Sequence, residues 1–156
     1  MKLDSAGYDL IKSFEGLRLL PYKCSAGVPT IGYGNTVYPN GVKVTMKDKA
    51  ITEAYAKEMF QTTANLFARD VTGLIKSKVN QNQFNALVSF AYNVGTDIDV
   101  DNIPEGLGDS TLLKKVNANP NDPLIAKEFL KWNKANGKVL SGLVKRRKKE
   151  SELYFK

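Results

Sequence analysis

The stretch EGLRLLPYKCSAGVPTIGYGNT, residues 15–36, decides the fold because the pattern of the chain changes within it. Short runs of alternating apolar residues are separated by CSAG and GYGN, which are turn-forming sequences. This pattern predicts a small antiparallel sheet over about 15–45. The same stretch holds the only cysteine of the chain, Cys24, between Glu15 and Thr30.

Helical patterns surround this stretch on both sides. Before it, apolar residues at helical spacing predict a helix over 5–14 with Ser5 as its N-cap. After it, Thr45 followed by Asp48 predicts the start of one long helix through 46–71. The remaining sequence predicts four more helices: 79–94 stopped by Gly95, 110–118 opened by Ser110, 122–137, and 141–156 opened by Ser141.

These elements predict an α+β fold with a cleft. The acidic, glycine-containing segment 96–109 has no helical periodicity and is predicted to be a loop. We expect one domain over 1–156, in which the helix 5–14 and the helices of 46–156 surround a β lobe at about 15–45. The long helix would join this small lobe to a larger helical lobe, with a cleft between the two.

Composition excludes several classes of function. The 156 residues are 42% hydrophobic and 25% charged, which is typical of a folded globular domain and not of a membrane span. Asp4 and Asp9 interrupt any secretory pattern. With no histidine and one cysteine, Ser-His-Asp and Cys-His catalysis, ordinary zinc sites and an intramolecular disulfide are excluded. The net charge of +7 indicates an anionic partner: nucleic acid, an acidic membrane or an acidic wall polymer.

Three residues of the opening stretch could carry chemistry, and each also has an ordinary structural interpretation. Glu15 lies among apolar neighbours that would raise its pKa and make it a proton donor, although a glutamate that ends a helix usually faces solvent. A lone cysteine is most often a buried small apolar residue, yet Cys24 lies in a polar turn. Thr30 alone is only a good strand residue.

Other prominent residues have simpler interpretations. The basic run KRRKK at 145–149 is predicted to be a solvated helix face on which Arg146 pairs with Glu150, and aromatic residues are not interleaved with it as in single-strand nucleic-acid binders. Five apolar residues at helical spacing are predicted to belong to the core and not to a sugar-stacking surface: Phe84, Leu87, Phe90, Phe129 and Trp132.

The spacing of Glu15, Cys24 and Thr30 resembles a known family. Glutamate, eight residues, cysteine, five residues, threonine and then IGYGN is similar to the phage-type lysozymes, the endolysins of glycoside hydrolase family 24, which have aspartate or cysteine at the second position. The resemblance covers nearly the whole chain, because KSFEGLRL, VPTIGYG, QFNALVSFAYNVG, STLLKKVNA and WNKANGKVLSGLVKRR follow in the same order.

The resemblance implies hydrolysis of the β-1,4 bond between N-acetylmuramic acid and N-acetylglucosamine in peptidoglycan. Glu15 would be the general acid, Cys24 the second catalytic group, and Thr30 would hold the water by hydrogen bonding. Whether Cys24 acts as base or nucleophile, and so whether the anomeric centre is inverted or retained, stays open.

A thiol at the second position changes the chemistry of the site. Aspartate has a reference pKa of about 3.9 and is charged at neutral pH, whereas a free thiol near about 8.5 is mostly neutral. Lys23 and Arg18 are close in sequence and could lower the thiol pKa. The cysteine could also mark a weakened enzyme or an engineered replacement of aspartate, but the family's own tolerance of cysteine favours a working site.

The resemblance also implies contacts and partners. Thr36, Tyr92, Asn93 and Ser110 match places where relatives touch the glycan, with packing and helix capping as the equal alternative. Asn35 stands where many relatives have the histidine of a structural ion pair.

The partners implied are peptidoglycan strands and a holin. The resemblance implies a monomer without metal or organic cofactor, without nucleic acid and without stable membrane insertion. This chain shows neither the N-terminal membrane segment nor the second cysteine that restrain some relatives, so we expect it to be active as translated and to accumulate in the host cytoplasm. The main rival hypothesis is a peptidoglycan-binding module that has lost catalysis, followed distantly by a basic nucleic-acid binder.

Overall fold

A computed structural model describes residues 1–99 and 101–156 of the protein. It contains helices and two small antiparallel sheets, β1–β2 and β3–β4, as an α+β fold requires. In chain order, the elements are α1 (Ser5–Phe14), β1 (Arg18–Lys23), β2 (Pro29–Gly32), α2 (Glu53–Leu74), α3 (Gln81–Val94), α4 (Thr111–Ala118), α5 (Ile125–Leu130), β3 (Lys134–Ala135), β4 (Lys138–Val139) and α6 (Ser141–Tyr154).

Helix α1 has the predicted bounds, but its cap differs. Asp4, not Ser5, is the N-cap, and its Oδ1 accepts a hydrogen bond from the Gly7 amide at 3.1 Å. The same Oδ1 accepts from Nδ2 of Asn85 in α3 at 2.7 Å. The Asp4 carboxylate therefore both caps the start of α1 and links this helix to α3. The second contact is tertiary, so local capping rules do not reveal it.

The strands β1 and β2 form the predicted small sheet. Tyr22 pairs with Thr30, and the turn between the strands is closed by hydrogen bonds from the Cys24 amide to the Val28 carbonyl and from the Gly27 amide to the Cys24 carbonyl. A separate small core lies beside the sheet and contains Ile31, Val44 and Met59, the last from α2. The sheet is thereby fixed to the first half of the long helix.

Helix α2 begins later than predicted. Its N-cap is Thr52, whereas Thr45 and Asp48 form a local turn in which the Thr45 hydroxyl and amide both donate to the Asp48 carboxylate. Tyr38 also donates to that carboxylate, at 2.7 Å. The Asp48 carboxylate is therefore hydrogen-bonded within the loop before the helix and does not cap it. The helix begins instead after Thr52, whose side chain is the cap.

Helix α3 is the centre of the main core. Asn80 and Gln83 form a capping box at its start, and Gly95 ends it with φ of +104°, as the sequence predicts. Its residues from 83 to 91 are all buried. Four residues predicted to belong to the core are buried in it: Phe84, Leu87, Phe90 and Phe129. The fifth, Trp132, is half-buried at the edge of the core.

The C-terminal part differs most from prediction. Ser110 caps α4 as expected, but the helix predicted over 122–137 is only the short α5, followed by the β3–β4 hairpin. Asn136 and Gly137 at the hairpin turn have φ of +51° and +75°. An Asn-Gly pair is a preferred sequence for the turn of a β-hairpin. The sequence therefore did indicate a hairpin here, although its helical periodicity led to the prediction of a helix.

Helix α6 starts at Ser141, but no side chain caps it. The solvated face predicted for residues 145–149 is wrong in part, because Arg146 and Arg147 are both buried. Their guanidinium groups face the buried Glu150 carboxylate, which supplies the charge that such burial requires. The predicted Arg146–Glu150 pair is confirmed.

Among residues 1–99 and 101–156, every helix is too short or too polar to traverse a lipid bilayer.

The cap assignment at α1 can be tested by a matched pair of variants. Asp4→Ala should lower the free energy of unfolding by about 1–3 kcal/mol, because it removes the cap and leaves the Asn85 amide without its acceptor. Ser5→Ala, one residue along, should change it by less than about 0.5 kcal/mol. Urea unfolding followed by circular dichroism measures both. Equal losses would contradict the assignment of Asp4 as the cap.

Candidate active site

Glu15 lies at the point where α1 ends. It is the C-cap residue, in extended conformation, and its amide still donates to the Ile11 carbonyl at 3.2 Å. Its side chain is 20% exposed and faces a cavity of about 380 Å³. The helix terminus thus holds the carboxylate at the edge of the core, where an outside molecule can reach it.

Two contacts fix the orientation of this carboxylate. Arg146 of α6 donates from Nη1 to Glu15 Oε1 at 2.7 Å. On the other side lies Gly34, where an added Cβ would stand 2.8 Å from Oε2 and where φ is +82°. Apolar side chains do line the cavity of Glu15, among them Phe14, but the sequence did not indicate that its carboxylate is ion-paired with a buried guanidinium.

Three further contacts hold the Arg146 guanidinium in place. Its Nε donates to Glu150 Oε1 at 3.1 Å and its Nη2 to the Ser89 carbonyl at 3.0 Å. The guanidinium also lies 5.3 Å from the centre of the Phe14 ring. These contacts leave Arg146 little freedom, so the position of Glu15 is determined by the helical core.

Cys24 lies in the β1–β2 turn and is half-buried. The pKa of its thiol is lowered below the ordinary value, chiefly by hydrogen bonds from the backbone of Val28 and Ala26, with a smaller contribution from the Thr30 side chain. The sequence-based expectation assigned this effect to Lys23 and Arg18. Neither is among its causes, and the Arg18 guanidinium instead lies 4.6 Å from the centre of the Tyr22 ring.

Tyr22 connects the two ends of the site. Burial raises the pKa of its phenol, the negative charges of Glu15 and Cys24 raise it further, and Arg18 opposes them. The cavity that contains Glu15 and the cavity that contains Ser25, the neighbour of Cys24, share wall residues. The structure therefore places Glu15 and the turn of Cys24 at adjoining cavities.

Thr30 lies on β2, beside Cys24. Only 3% of it is exposed, and its hydroxyl donates to the Val28 carbonyl at 2.9 Å. The Thr30 side chain also helps to lower the pKa of the Cys24 thiol. Its hydroxyl oxygen keeps lone pairs that can accept a hydrogen bond.

The other predicted positions have different surroundings. Asn93 is exposed, and Thr36 is exposed just beyond the sheet. Tyr92 is partly buried and donates to the Tyr33 carbonyl at 3.0 Å, which ties α3 to the glycine-rich turn. Ser110 is fully buried and its hydroxyl caps α4, the structural role that the sequence left open.

Asn35 takes a structural place beside the sheet. It is 3% exposed, pairs with Ile31 through the backbone, and donates from Nδ2 to the Thr63 hydroxyl at 2.8 Å. A neutral hydrogen bond therefore joins this position to α2.

Two neighbouring cavities make up the site. The Glu15 cavity and a second one, also about 380 Å³, share Asn93, Leu140 and Leu143 as walls. The second contains Ser25, next to Cys24, and reaches the β3–β4 hairpin. Arg146, Gly34 and this hairpin were not predicted from the sequence as parts of the site. Only the Asn-Gly turn had a local signal, since Arg146 and Glu15 are 131 residues apart.

Comparison with known proteins gives consistent matches. The chain is 45% identical to an endolysin of Bacillus phage B103 over 160 aligned positions, which are 99% of this chain and 54% of that protein. It is 40% identical to an endolysin of Acyrthosiphon pisum secondary endosymbiont phage 1, covering 99% of this chain and 98% of that one. This chain therefore spans about half the length of the first relative and nearly all of the second.

Solved structures and family models agree with these relatives. An endolysin from an Escherichia coli phage, FAHEc1, superimposes with a TM-score of 0.84 at 37% identity, covering 99% of this chain and 93% of that one. The phage lysozyme family model matches residues 12–150, which include Glu15, Cys24, Thr30 and Arg146. With its lysozyme-like α+β fold, the chain belongs to the phage lysozyme family.

Proposed function

We propose that this protein is an endolysin that hydrolyses the β-1,4 bond between N-acetylmuramic acid and N-acetylglucosamine in bacterial peptidoglycan. The observation that carries the proposal is the Glu15 carboxylate, fixed by Arg146 at the edge of an open cavity. The names of the relatives support the same activity. The basic net charge of +7 suits an anionic wall.

Glu15 is proposed as the general acid. Arg146 holds Oε1, so the second oxygen, Oε2, is the one free to face a glycosidic oxygen. Proton transfer to the leaving oxygen then assists cleavage of the glycosidic bond.

Cys24 is proposed as the second catalytic group. As a thiolate it could take a proton from a water that attacks the sugar, giving inversion, or attack the sugar itself, giving a thioglycoside and retention after hydrolysis. Its lowered pKa supports either role. Thr30, whose hydroxyl lies beside the sulfur, is proposed to hold the water.

Substrate contacts follow from exposure. Asn93 is the strongest candidate because it lies in the walls of both cavities, and Thr36 is exposed near the sheet. Tyr92 is proposed to act indirectly: its hydrogen bond to the Tyr33 carbonyl would hold the glycine-rich turn in position. For Ser110, burial favours its capping role over any contact with sugar.

The route to the wall is part of the proposal. The protein would accumulate as a monomer in the host cytoplasm and reach peptidoglycan through a membrane lesion made by a holin. Expression with and without a holin, followed by culture turbidity, tests this route. Lysis without the holin would contradict it.

Glu15→Gln tests the acid directly. It should reduce release of reducing ends from purified peptidoglycan by at least about 10²-fold, since an amide has no proton to give while it can still accept from Arg146. Glu152→Gln, at an exposed glutamate of α6, is the matched control and should leave the rate unchanged. Full activity of Glu15→Gln would remove Glu15 from the mechanism.

The state of the thiol can be measured separately. Because the folded-state pKa of Cys24 is lowered, thiolate persists to lower pH than in an ordinary cysteine and is lost as the pH falls through that pKa. The rate of iodoacetamide alkylation against pH should have its midpoint below that of the urea-unfolded chain. Cys24 is the only cysteine, so the rate reports it alone. A midpoint equal to or above the unfolded one would contradict the hydrogen-bonding analysis.

Substitutions at Cys24 test its chemistry. Cys24→Ser should lower the rate about 10²-fold or more, because a hydroxyl is a poor base and nucleophile without a partner. Cys24→Asp should preserve or raise it. The anomer first released, followed by NMR, distinguishes base from nucleophile. If the unmodified chain binds walls without cleaving them and Cys24→Asp restores cleavage, the binding-module hypothesis replaces the proposal.

A further inference from the structure

The sequence contains two Asn-Gly pairs, Asn40–Gly41 and Asn136–Gly137, and both asparagines are exposed. An asparagine that precedes glycine can modify itself, because no Cβ on the glycine keeps the asparagine side chain away from the glycine nitrogen. In a folded protein the reaction needs two free groups. The side-chain amide must be able to turn, and the glycine nitrogen must be able to attack it.

Asn40 is restrained by its own loop. Its Oδ1 accepts a hydrogen bond from the Val42 amide at 3.0 Å, and the Gly41 amide donates to the Tyr38 carbonyl at 2.8 Å. The Tyr38 hydroxyl donates to Asp48 at 2.7 Å, which ties the loop to the segment before α2. Both reacting groups of this pair are therefore engaged in hydrogen bonds.

Asn136 has neither restraint. Within residues 1–99 and 101–156, its side chain makes no hydrogen bond, and the Gly137 amide donates none. Open space surrounds Gly137, because an added Cβ there would meet no atom within 4 Å. The two groups that must react are therefore both free at this pair.

The hairpin that carries Asn136 is also easy to open. In the part of the chain that the structure describes, β3 and β4 contain two residues each and pair only with one another. A two-stranded hairpin is marginally stable by itself, and local opening of such an element costs much less than global unfolding. Opening gives the Asn136 side chain the freedom to reach the Gly137 nitrogen.

We propose that Asn136 is a site of spontaneous modification, at which water converts asparagine to aspartate and isoaspartate while Asn40 is spared. Base removes the proton of the Gly137 amide, and the nitrogen forms a bond to Cγ of Asn136. The bond between Cγ and Nδ2 breaks, and ammonia leaves with the proton that the base removed, which gives a cyclic imide. Water then opens the ring at Cγ to give aspartate, or at the main-chain carbonyl to give isoaspartate.

The modification would change both the charge and the length of the hairpin. Either product brings a new carboxylate to the turn. Isoaspartate also lengthens the main chain by a methylene group, whereas the length of the turn fixes the pairing of Lys134 with Val139 and of Ala135 with Lys138. Lys134 and Ala135 line the cavity that contains Ser25, so the wall of this cavity would change as the protein ages.

Incubation of the whole chain tests the proposal, with Asn40 as the internal control. After increasing times at neutral and at alkaline pH, mass spectrometry quantifies the peptides that contain each pair, and enzymatic methylation identifies isoaspartate. Asn136 should be modified about five- to thirtyfold faster than Asn40, the factor that corresponds to one or two ordinary hydrogen bonds. Its rate should rise with pH, because base removes the amide proton.

The same incubation in guanidinium chloride removes the structure and keeps the sequence. The two asparagines should then be modified at comparable rates, because neither is restrained. Modification of Asn40 as fast as Asn136 in the folded chain, or a preference for Asn136 that persists unchanged in denaturant, would overturn the proposal. Formation of aspartate without isoaspartate would also overturn it. These measurements do not depend on hydrolysis of peptidoglycan, so the proposed function is tested separately.

Discussion

A carboxylate with no access to solvent, that of Glu150, is the constraint on which the site depends. Its side chain is 0% exposed, and an isolated charge in such a place would be strongly unfavourable. Arg146, Arg147 and the Ser89 hydroxyl surround it, the last donating to Oε1 at 2.7 Å. Together these groups join α3 to α6, so satisfying one buried charge also fixes two helices together.

The same network reaches the surface through Arg146. One part of its guanidinium is held by Glu150 and by the Ser89 carbonyl, and the remaining nitrogen, Nη1, is left for Glu15. The carboxylate at the end of α1 is therefore positioned by the core of the helical region. A buried ion pair of this kind adds little to the stability of the fold, but it is well suited to holding the Glu15 side chain in one orientation.

Local signals in the sequence were sufficient for elements that local chemistry determines. Helix α3 carries its capping box and its terminal glycine, and Ser110 begins α4. The start of α2 was misplaced because Asp48 has a tertiary partner in Tyr38, which no neighbouring residue indicates. The hairpin after α5 was missed because the short strands lie between stretches with helical periodicity, although Asn136–Gly137 was informative.

The site shows the same division between local and distant information. Glu15, Cys24 and Thr30 were predicted as site residues from a resemblance carried by their spacing, since they belong to one short stretch of chain. Their surroundings were not, because Arg146 comes from the far end of the chain and lies within a basic run that suggests a solvated surface. The unexpected burial of Arg146 and Arg147 and the missing partner of Glu15 have one cause, the buried charge of Glu150.

The turn that holds Cys24 gives a physical reason why the pKa of its thiol lies below that of an ordinary cysteine. Hydrogen bonding by the backbone of Val28 and Ala26 lowers the pKa of the thiol, and the Thr30 side chain makes a smaller contribution. Hydrogen bonds of this kind stabilise a negative charge whether it is on sulfur or on oxygen. The turn is thus built for an anion rather than for one residue type. Aspartate would be ionised at this position without help, whereas a cysteine thiol depends on hydrogen bonds from the turn to ionise. The backbone from 24 to 28 therefore determines what fraction of the thiol is present as reactive thiolate.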